Sequence, residues 1–178
     1  SNTAVEEIFN GKFGPAKQVL IEEFLQGDEM SYFVLSDGKI FKRFNTAQDH
    51  KRVGEGDKGK NTGGMGAYSP SGLINAELDK KIITEIITPT FEAIKDMGEN
   101  YKGFLYVGLM IKDNNPYLIE YNVRMGDPEC QTILPLLATD LLDLILSCCD
   151  ETLEKQNILW EDKKSMCMVL CSNGYPDI

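Results

Sequence analysis

Residues 117–131 read YLIEYNVRMGDPECQ, and this stretch is the most informative part of the chain. Its first half alternates apolar with polar residues, which predicts a β-strand whose successive side chains point to opposite faces. Glu120, Asn122 and Arg124 then share one face. At a rise of about 3.3 Å per residue, the Cα atoms of Glu120 and Asn122 are about 7 Å apart, so both side chains can reach one cation. We expect the other face to carry Tyr117, Ile119 and Tyr121.

The three polar residues fit a divalent-metal site. Carboxylate and amide oxygens suit Mg²⁺, which keeps waters and substrate phosphates as its remaining ligands. Arg124 would lie just beyond the metal, within reach of a phosphoryl oxygen. A solvated polar face on an edge strand explains the same residues equally well at this point.

The composition is typical of a globular protein with room for one core, or for one domain and part of another. The chain has 178 residues, of which 42% are hydrophobic and 26% charged. No apolar run approaches the roughly 20 residues of a membrane span, and no basic region followed by an apolar one opens the chain. The five cysteines are odd in number and lack CxxC spacing, which suits reduced thiols. We therefore expect a cytoplasmic protein with no membrane partner.

The charge distribution points to small anions and away from nucleic acid. The formal net charge is −10, whereas binding a phosphate backbone needs a basic surface. Basic residues nevertheless cluster within residues 42–60, which favours a small anionic substrate. An ordinary charged loop is the alternative interpretation of this cluster.

Hydrophobic periodicity and turn residues predict an α+β fold built from hairpins and helices. Asp37 and Gly38 are typical of a two-residue hairpin turn, and Pro89 should kink the longest helix. The predicted helices cover 4–10, 77–97 and a segment capped by Asp140 that runs to about Cys149. The predicted strands are a buried one at 18–25, the pairs 30–36 with 39–44 and 104–111 with 117–122, and a last one at 166–171; residues 45–72 are predicted to be a long loop.

Two glycine motifs in this loop are misleading. Residues 54–59, GEGDKG, satisfy GxGxxG, and residues 54–61 nearly satisfy the P-loop pattern. Both motifs work only where a strand leads into the glycines and a helix leaves them. Here the flanking segments are polar or glycine-rich, so we reject both. Glycines still let backbone amides approach an anion, and we interpret residues 54–66 as an anion-binding loop.

Four segments in order, IEEFLQGDE (21–29), QDHKRVGEGDKGKNTGGMGAYSP (48–70), GFLYVGLMI (103–111) and IEYNVRMGDPECQ (119–131), resemble the ATP-grasp ligases. More narrowly, they resemble the phosphoribosylamine glycine ligase family, also called glycinamide ribonucleotide synthetases, from about Val19 to Pro176. The resemblance implies the ATP-grasp fold, mainly its C-terminal lobe with an antiparallel sheet and helices. It also implies that ATP activates glycine as an acyl phosphate, which the amine of 5-phosphoribosylamine attacks in purine biosynthesis.

The resemblance assigns roles to particular residues. Metal ligands for Mg²⁺ (or Mn²⁺) are Glu120 and Asn122, and catalytic roles fall to Arg124 and Asp127. Contacts with ATP are expected from Glu22, Glu23, Phe24, Leu25 and Glu29. Contacts with the phosphoribosyl substrate are expected from Asp49, Lys51, Arg52, Asn61, Thr62, Gly63, Gly64 and Gly66. Asp127 and Glu129 have alternative roles in holding the glycine ammonium, in orienting Arg124 or in loop structure, and His50 is expected to be structural or a hydrogen-bond donor.

The resemblance covers less than half of the usual ligase, so we expect an ATP-grasp domain truncated at both ends. Residues 1–150 would form part of its C-terminal lobe, and residues 151–178 a linker and the start of a C-terminal domain. The chain alone should be inactive and could self-associate, whereas the whole enzyme should be a monomer. Another ATP-grasp ligase, or a non-catalytic module that binds nucleotide or metal, is the alternative.

Overall fold

The computed structural model describes residues 2–56 and 58–177. Five α-helices and nine β-strands lie in these residues, together with a π-helical stretch (Ile82–Ile87) and two short 3₁₀ turns (Leu134–Leu136 and Leu153–Lys155). The helices are α1 (Asn2–Phe9), α2 (Ala76–Lys81), α3 (Thr88–Asp96), α4 (Glu129–Ile133) and α5 (Leu141–Cys149). The strands are β1 (Asp28–Asp37), β2 (Phe41–Arg43), β3 (Gln48–Asp49), β4 (Arg52–Gly54), β5 (Lys58–Asn61), β6 (Gly66–Ser69), β7 (Lys102–Lys112), β8 (Asn115–Asn122) and β9 (Ser165–Met168).

A four-stranded antiparallel sheet, in the order β2-β1-β7-β8, forms the centre of the fold. Both faces of β1 are apolar, so both faces of the sheet must be covered. Met30, Tyr32 and Val34 pack with α2, the π-helical stretch and α3 on one face. Phe33 and Leu35 pack with α4, α5 and the segment after α5 on the other. The predicted α+β class is confirmed.

The first hairpin is confirmed, but its predicted two-residue turn is wrong. Ser36 pairs with Phe41, so four residues make the connection. The Asp37 carboxylate, which is 1% exposed, determines this longer turn. It accepts hydrogen bonds from the backbone N–H of Lys39 and Ile40, both at 2.9 Å, and from that of Leu153 at 3.0 Å. The turn is thereby tied to the segment after α5.

The long predicted helix is confirmed as one helical rod with a change of winding. It runs through α2, the π-helical stretch and α3, and Pro89 lies in the first turn of α3. A proline has no N–H and its ring crowds the carbonyl four residues earlier. A wider π-helical turn before Pro89 accommodates that lost bond without ending the rod. Asp140 caps α5 as predicted, accepting from the N–H of Leu142 at 2.8 Å.

Two predictions for the first half of the chain are wrong. Residues 18–25 form no strand, and Leu20, Ile21 and Phe24 are about four-fifths exposed, at 80%, 79% and 84%. An apolar run becomes a strand only beside a partner, and no described segment pairs with this one. Residues 45–72 are not a structureless loop, because they contain β3 to β6. Strands of two to four residues interrupted by glycine show no sustained period in the sequence.

The second hairpin, β7 with β8, is confirmed at the predicted position. The predicted last strand is shorter than expected, as β9 spans Ser165–Met168 and pairs with β6. A three-stranded sheet, β3-β6-β9, thus packs beside the central one and joins residues from both predicted parts of the chain. None of the described helices is long and apolar enough to cross a membrane.

Candidate active site

Glu120 and Asn122 lie side by side on β8, as the sequence predicts. The Asn122 amide donates to Glu120 Oε1 at 3.1 Å. Glu120 is opposite Gly108 on β7, and Asn122 is opposite Tyr106. A Cβ on residue 108 would lie 3.2 Å from the Glu120 side chain, so the glycine leaves room for the carboxylate. The two predicted metal ligands therefore project from a strand that is paired with β7.

A β-bulge in β8 changes which side chains share this face. Gly108 pairs with Glu120, but the next residue of β7 pairs with Leu118, which leaves Ile119 as an extra residue. Tyr121 points to the helical face, where its hydroxyl meets Thr90 of α3. Ile119 instead lines a small cavity together with Glu120. The prediction that Ile119 lies on the same face as Tyr121 is wrong, because a bulge resets the alternation of a strand.

The two residues expected to be catalytic lie beyond the end of β8, on the surface. Arg124 is exposed and donates to the carbonyl of Met125 at 2.9 Å. Asp127 is also exposed and accepts from the Gln131 amide at 2.7 Å. No salt bridge to Arg124 occurs in the part of the chain that the structure describes. The guanidinium charge is therefore available to an anion in solution.

Glu129 is the buried acid of the GDPE turn. It is 3% exposed, and its Oε1 accepts from the Ser31 hydroxyl at 2.7 Å. A Cβ on Gly126 would lie 2.2 Å from Glu129 Oε2, which is closer than any real contact. A glycine at position 126 is therefore required for this carboxylate to fold back under β1. The sequence left the role of Glu129 open between a substrate contact and loop structure. The structure places its side chain in the protein interior.

Asp49 on β3 is a second acid in this interior. Its Oδ1 is buried and has no hydrogen-bond partner among the described residues. Burial raises the pKa of Asp49, and the nearby charge of Glu129 raises it further, to about 7, although Lys51 acts in the opposite direction. A buried carboxylate oxygen without a partner is costly to a fold, which makes this acid a candidate for function.

Lys51 and Glu29 form a half-buried ion pair beside Asp49. Their charged atoms are 3.0 Å apart. Burial opposes the charge of Lys51, but the hydrogen bond and charge of Glu29 prevail and raise the pKa of the lysine. Glu29, which is expected to contact ATP, thus forms an ion pair with a lysine that is expected to contact the phosphoribosyl substrate. Arg52 is exposed and donates to the carbonyl of Gly59 at 2.8 Å.

The glycine loop after β5 folds onto the GDPE turn. Thr62 fixes the loop, because its N–H and its hydroxyl donate to the Lys51 carbonyl at 2.7 Å and 2.9 Å. Gly64 is buried with φ +123°, and a Cβ there would lie 2.6 Å from Pro128 and 2.9 Å from Asp49 Oδ1. Only glycine fits this position. Asn61 at the end of β5 and Gly63 in the loop are exposed, and Gly66 of β6 is partly buried beside β9.

One open cleft connects the two groups of predicted ligand contacts. It is lined by Phe24, Leu25 and Glu29 on one side and by the β3–β5 segment on the other, with Met110 of β7 between them. Glu22 and Glu23 are exposed and do not line it. Tyr117 pairs with Met110 and lies on this side of the sheet, so its predicted placement on the opposite face is wrong.

Sequence reasoning missed three residues of this interior. Ser31, Tyr106 and Met110 border the cavities beside Glu120 and Glu29. Ser31 and Tyr106 are polar residues at buried positions of apolar strands, and burial raises the pKa of the Tyr106 phenol. A polar residue that interrupts a buried strand was the available signal. Met110 gave none, because methionine is ordinary in a core.

Comparison with known proteins agrees with this geometry. A family model described as the phosphoribosylglycinamide synthetase ATP-grasp (A) domain matches residues 1–130. The chain belongs to this family. It is 46% identical over 177 residues to a phosphoribosylamine-glycine ligase of Mesorhizobium japonicum, covering 99% of this chain and 42% of that relative. It is 45% identical over 179 residues to the Salmonella typhimurium ligase, again covering 42% of the relative.

A solved structure supports the same assignment for the fold of this ATP-grasp domain. The crystal structure of phosphoribosylamine-glycine ligase from Thermotoga maritima matches with a TM-score of 0.79 and 36% identity, over 88% of this chain and 39% of that one. The predicted family and the predicted ATP-grasp fold are therefore confirmed. The chain spans about two-fifths of the length of the relatives it matches.

The donor set of this ATP-grasp domain fits a magnesium ion that also uses non-protein ligands. Glu120 supplies a carboxylate, and Asn122, whose amide nitrogen donates to that carboxylate, supplies an amide oxygen. No group of three or more His, Cys, Asp or Glu side chains within residues 2–56 and 58–177 could hold a metal by itself. Mg²⁺ is usually bound by one or two carboxylates with waters and substrate phosphates, so two protein oxygens suffice.

Proposed function

We propose that this chain provides part of the active site of an ATP-dependent ligase that joins glycine to 5-phosphoribosylamine. The products would be glycinamide ribonucleotide, ADP and phosphate, in purine biosynthesis. Membership of the family carries this proposal, because its named relatives are phosphoribosylamine-glycine ligases. The neighbouring side chains of Glu120 and Asn122 support it, because Glu120 lines a small cavity that shares three residues with the open cleft.

ATP would occupy the cleft. Phe24 and Leu25 border it and offer an apolar surface and backbone groups to a flat base. Glu29 would exchange its bond to Lys51 for the ribose hydroxyls, which would free the lysine for an anion. Glu22 and Glu23, which are exposed, would contact the nucleotide through the backbone of the same segment.

Glu120 and Asn122 would hold Mg²⁺ (or Mn²⁺), which supplies charge neutralisation to the phosphates when it is bound. The hydrogen bond from the Asn122 amide nitrogen to Glu120 Oε1 holds the two side chains together before the ion arrives. Preorganised ligands on a paired strand lose little freedom on binding. Arg124, free of an acidic partner among the described residues, would steady the phosphoryl oxygens, and Asp127 would orient it.

The phosphoribosyl substrate would lie at the glycine loop. Thr62 and Gly64 shape this loop, and Arg52 and Lys51 supply positive charge at its edge. Backbone amides of a glycine-rich loop bind phosphate oxygens without a side chain in the way. Asn61, Gly63 and Gly66 would complete this group, with Asp49 on its inner side.

We propose further that residues 1–150 are part of the C-terminal lobe of the ATP-grasp domain, and that residues 151–178 begin another domain. The whole enzyme would be a cytoplasmic monomer without nucleic-acid or membrane partners. Exposed apolar residues at 20–24 would favour self-association of the chain alone. A module that binds nucleotide without catalysis is the second candidate, because the chain spans about two-fifths of its relatives.

A chimeric enzyme tests the proposal. Residues 1–178 replace the matching segment of the Salmonella typhimurium ligase, which is 45% identical. We expect the chimera to make glycinamide ribonucleotide, and Glu120→Ala to lower kcat by about 100-fold or more. Glu85→Ala, an exposed acid on the helical rod, is the matched control and should be neutral.

The outcomes separate the candidates. An inactive chimera would contradict the ligase proposal, provided that the unmodified Salmonella enzyme is active in the same assay. An active chimera that tolerates Glu120→Ala would show that the metal site lies elsewhere. The 178-residue chain alone should show negligible turnover, and measurable synthesis by it would contradict that part of the proposal.

A further inference from the structure

Asp49 is the one acid beside the site with a buried side-chain oxygen that no described donor reaches. Glu29 is paired with Lys51, and Glu120 is bonded to the Asn122 amide. Glu129 accepts from the Ser31 hydroxyl. Asp49 Oδ1 is buried and has no donor. Buried polar atoms without a partner are rare in folded proteins, and each one needs an explanation.

Asp49 also lies where two cavities meet. Together with Glu29 and Lys51, it lines both the small cavity beside Glu120 and the open cleft proposed for ATP. On its other side it borders Gly64 of the glycine loop, the proposed place of the phosphoribosyl substrate. Asp49 therefore borders the region between β8, which carries the proposed metal ligands, and the proposed place of the amine substrate. Bond formation between the two substrates has to occur in that region.

We propose that Asp49 is the proton acceptor for the attacking amine; this inference rests on the proposed ligase function. The amine lone pair forms the new C–N bond to the acyl carbon of glycyl phosphate. The C–O bond to phosphate breaks, and phosphate leaves with that electron pair. The nitrogen loses one proton, which the Asp49 carboxylate takes to become a neutral acid and later releases to solvent through the cleft.

The surroundings of Asp49 suit this role. The charge of Glu129, which Ser31 holds in place, raises the proton affinity of Asp49. The other titratable groups that line the small cavity with Asp49 are Lys51, Glu29, Glu120 and the Tyr106 phenol. A base whose pKa is close to the working pH both holds and releases a proton readily. His50, the only histidine, is exposed and outside the small cavity.

The first test compares two nucleophiles in the chimeric ligase. With phosphoribosylamine, Asp49→Asn should lower kcat by about 100-fold or more, as expected for loss of a general base. With hydroxylamine, glycyl hydroxamate formation should change by less than about threefold, because this small nucleophile is not held against Asp49 and can pass its proton to water. Asp49→Glu should restore part of the rate. Asp162→Asn, at an exposed position, is the control and should change neither reaction.

Two results would overturn the assignment. Equal losses with both nucleophiles would show that Asp49 serves folding or the activation of glycine, and an unchanged kcat would show that no proton goes to it. Failure of the ligase proposal looks different, since the unsubstituted chimera would then form no hydroxamate.

A second test needs no activity. It uses carboxyl ¹³C NMR of the 178-residue chain. Asp49 should titrate near neutral pH in the unsubstituted chain, and its pKa should fall in Glu129→Gln. Titration of Asp49 below about pH 5, where ordinary aspartates titrate, would contradict the proposal.

Discussion

Replacing Asp49 by asparagine is expected to stabilise the chain at about pH 8 and to leave its stability nearly unchanged at about pH 4. The pKa of Asp49 is raised from 3.8 to about 7 in the folded chain. Between these values the folded state binds a proton that the unfolded state has released. The free energy of unfolding therefore falls as the pH rises through this window. Asparagine does not titrate, so the variant keeps the stability that the unsubstituted chain loses as the pH rises.

The magnitude follows from the size of the shift. A difference of roughly 3 pKa units corresponds to about 4 kcal/mol at most. Asp49 is partly exposed, so solvent screening reduces this figure, and we expect about 2 kcal/mol. Groups that do not interact with Asp49 titrate alike in both chains, so the difference in unfolding free energy between the asparagine variant and the unsubstituted chain reports Asp49 and its electrostatic neighbours.

Urea denaturation of both chains from about pH 4 to about pH 8 measures this difference. The stability gain of the variant should grow steadily across the window and level off above about pH 7. Asp162→Asn, an exposed substitution of the same chemistry, should give a flat difference. If the stability gain of Asp49→Asn stays constant or falls as the pH rises, the claim that the fold raises the pKa of Asp49 is refuted.

Two further substitutions test how the site is supported. Asp37→Ala leaves three backbone N–H groups, including that of Leu153, without their acceptor. We expect urea denaturation to show a loss of about 2 to 3 kcal/mol in the free energy of unfolding. A loss below about 0.5 kcal/mol would contradict the role of the carboxylate. Gly126→Ala should displace the Glu129 carboxylate and cost at least about 1 kcal/mol. Gly72→Ala, which meets nothing within 4 Å, should be nearly neutral, and equal costs for both glycines would contradict the packing described for position 126.

Much of the central sheet could be predicted from the sequence, because its signals are local. Alternation and turn residues locate β1, β7 and β8, and the family motifs locate Glu120 and Asn122 on one strand. Residues 18–25 misled the prediction, because an apolar run gives no information about whether a partner strand exists. The bulge at Ile119 could not be predicted either, because it depends on how β8 pairs with β7.

The interior of the site depends on contacts between distant segments. Asp49 and Glu129 are 80 residues apart in sequence, yet they share one buried environment. The sequence shows that Asp49 and Glu129 are acidic residues in segments that contain glycine. It contained no sign that Gly64 and Gly126 leave them the space to be buried together. Tertiary packing decides such burial, and motif spacing does not record it.

The most direct test of the central claim is to map where Mn²⁺ binds. Mn²⁺ broadens nuclear signals within a short distance of the ion, so NMR of the labelled chain with ADP and a small amount of Mn²⁺ locates the site. We predict the strongest loss of signal at Gly108, Glu120 and Asn122, and its disappearance when Glu120 and Asn122 are both replaced by alanine. Broadening centred on Asp127, or unchanged by the double substitution, would contradict the assignment of the metal to β8.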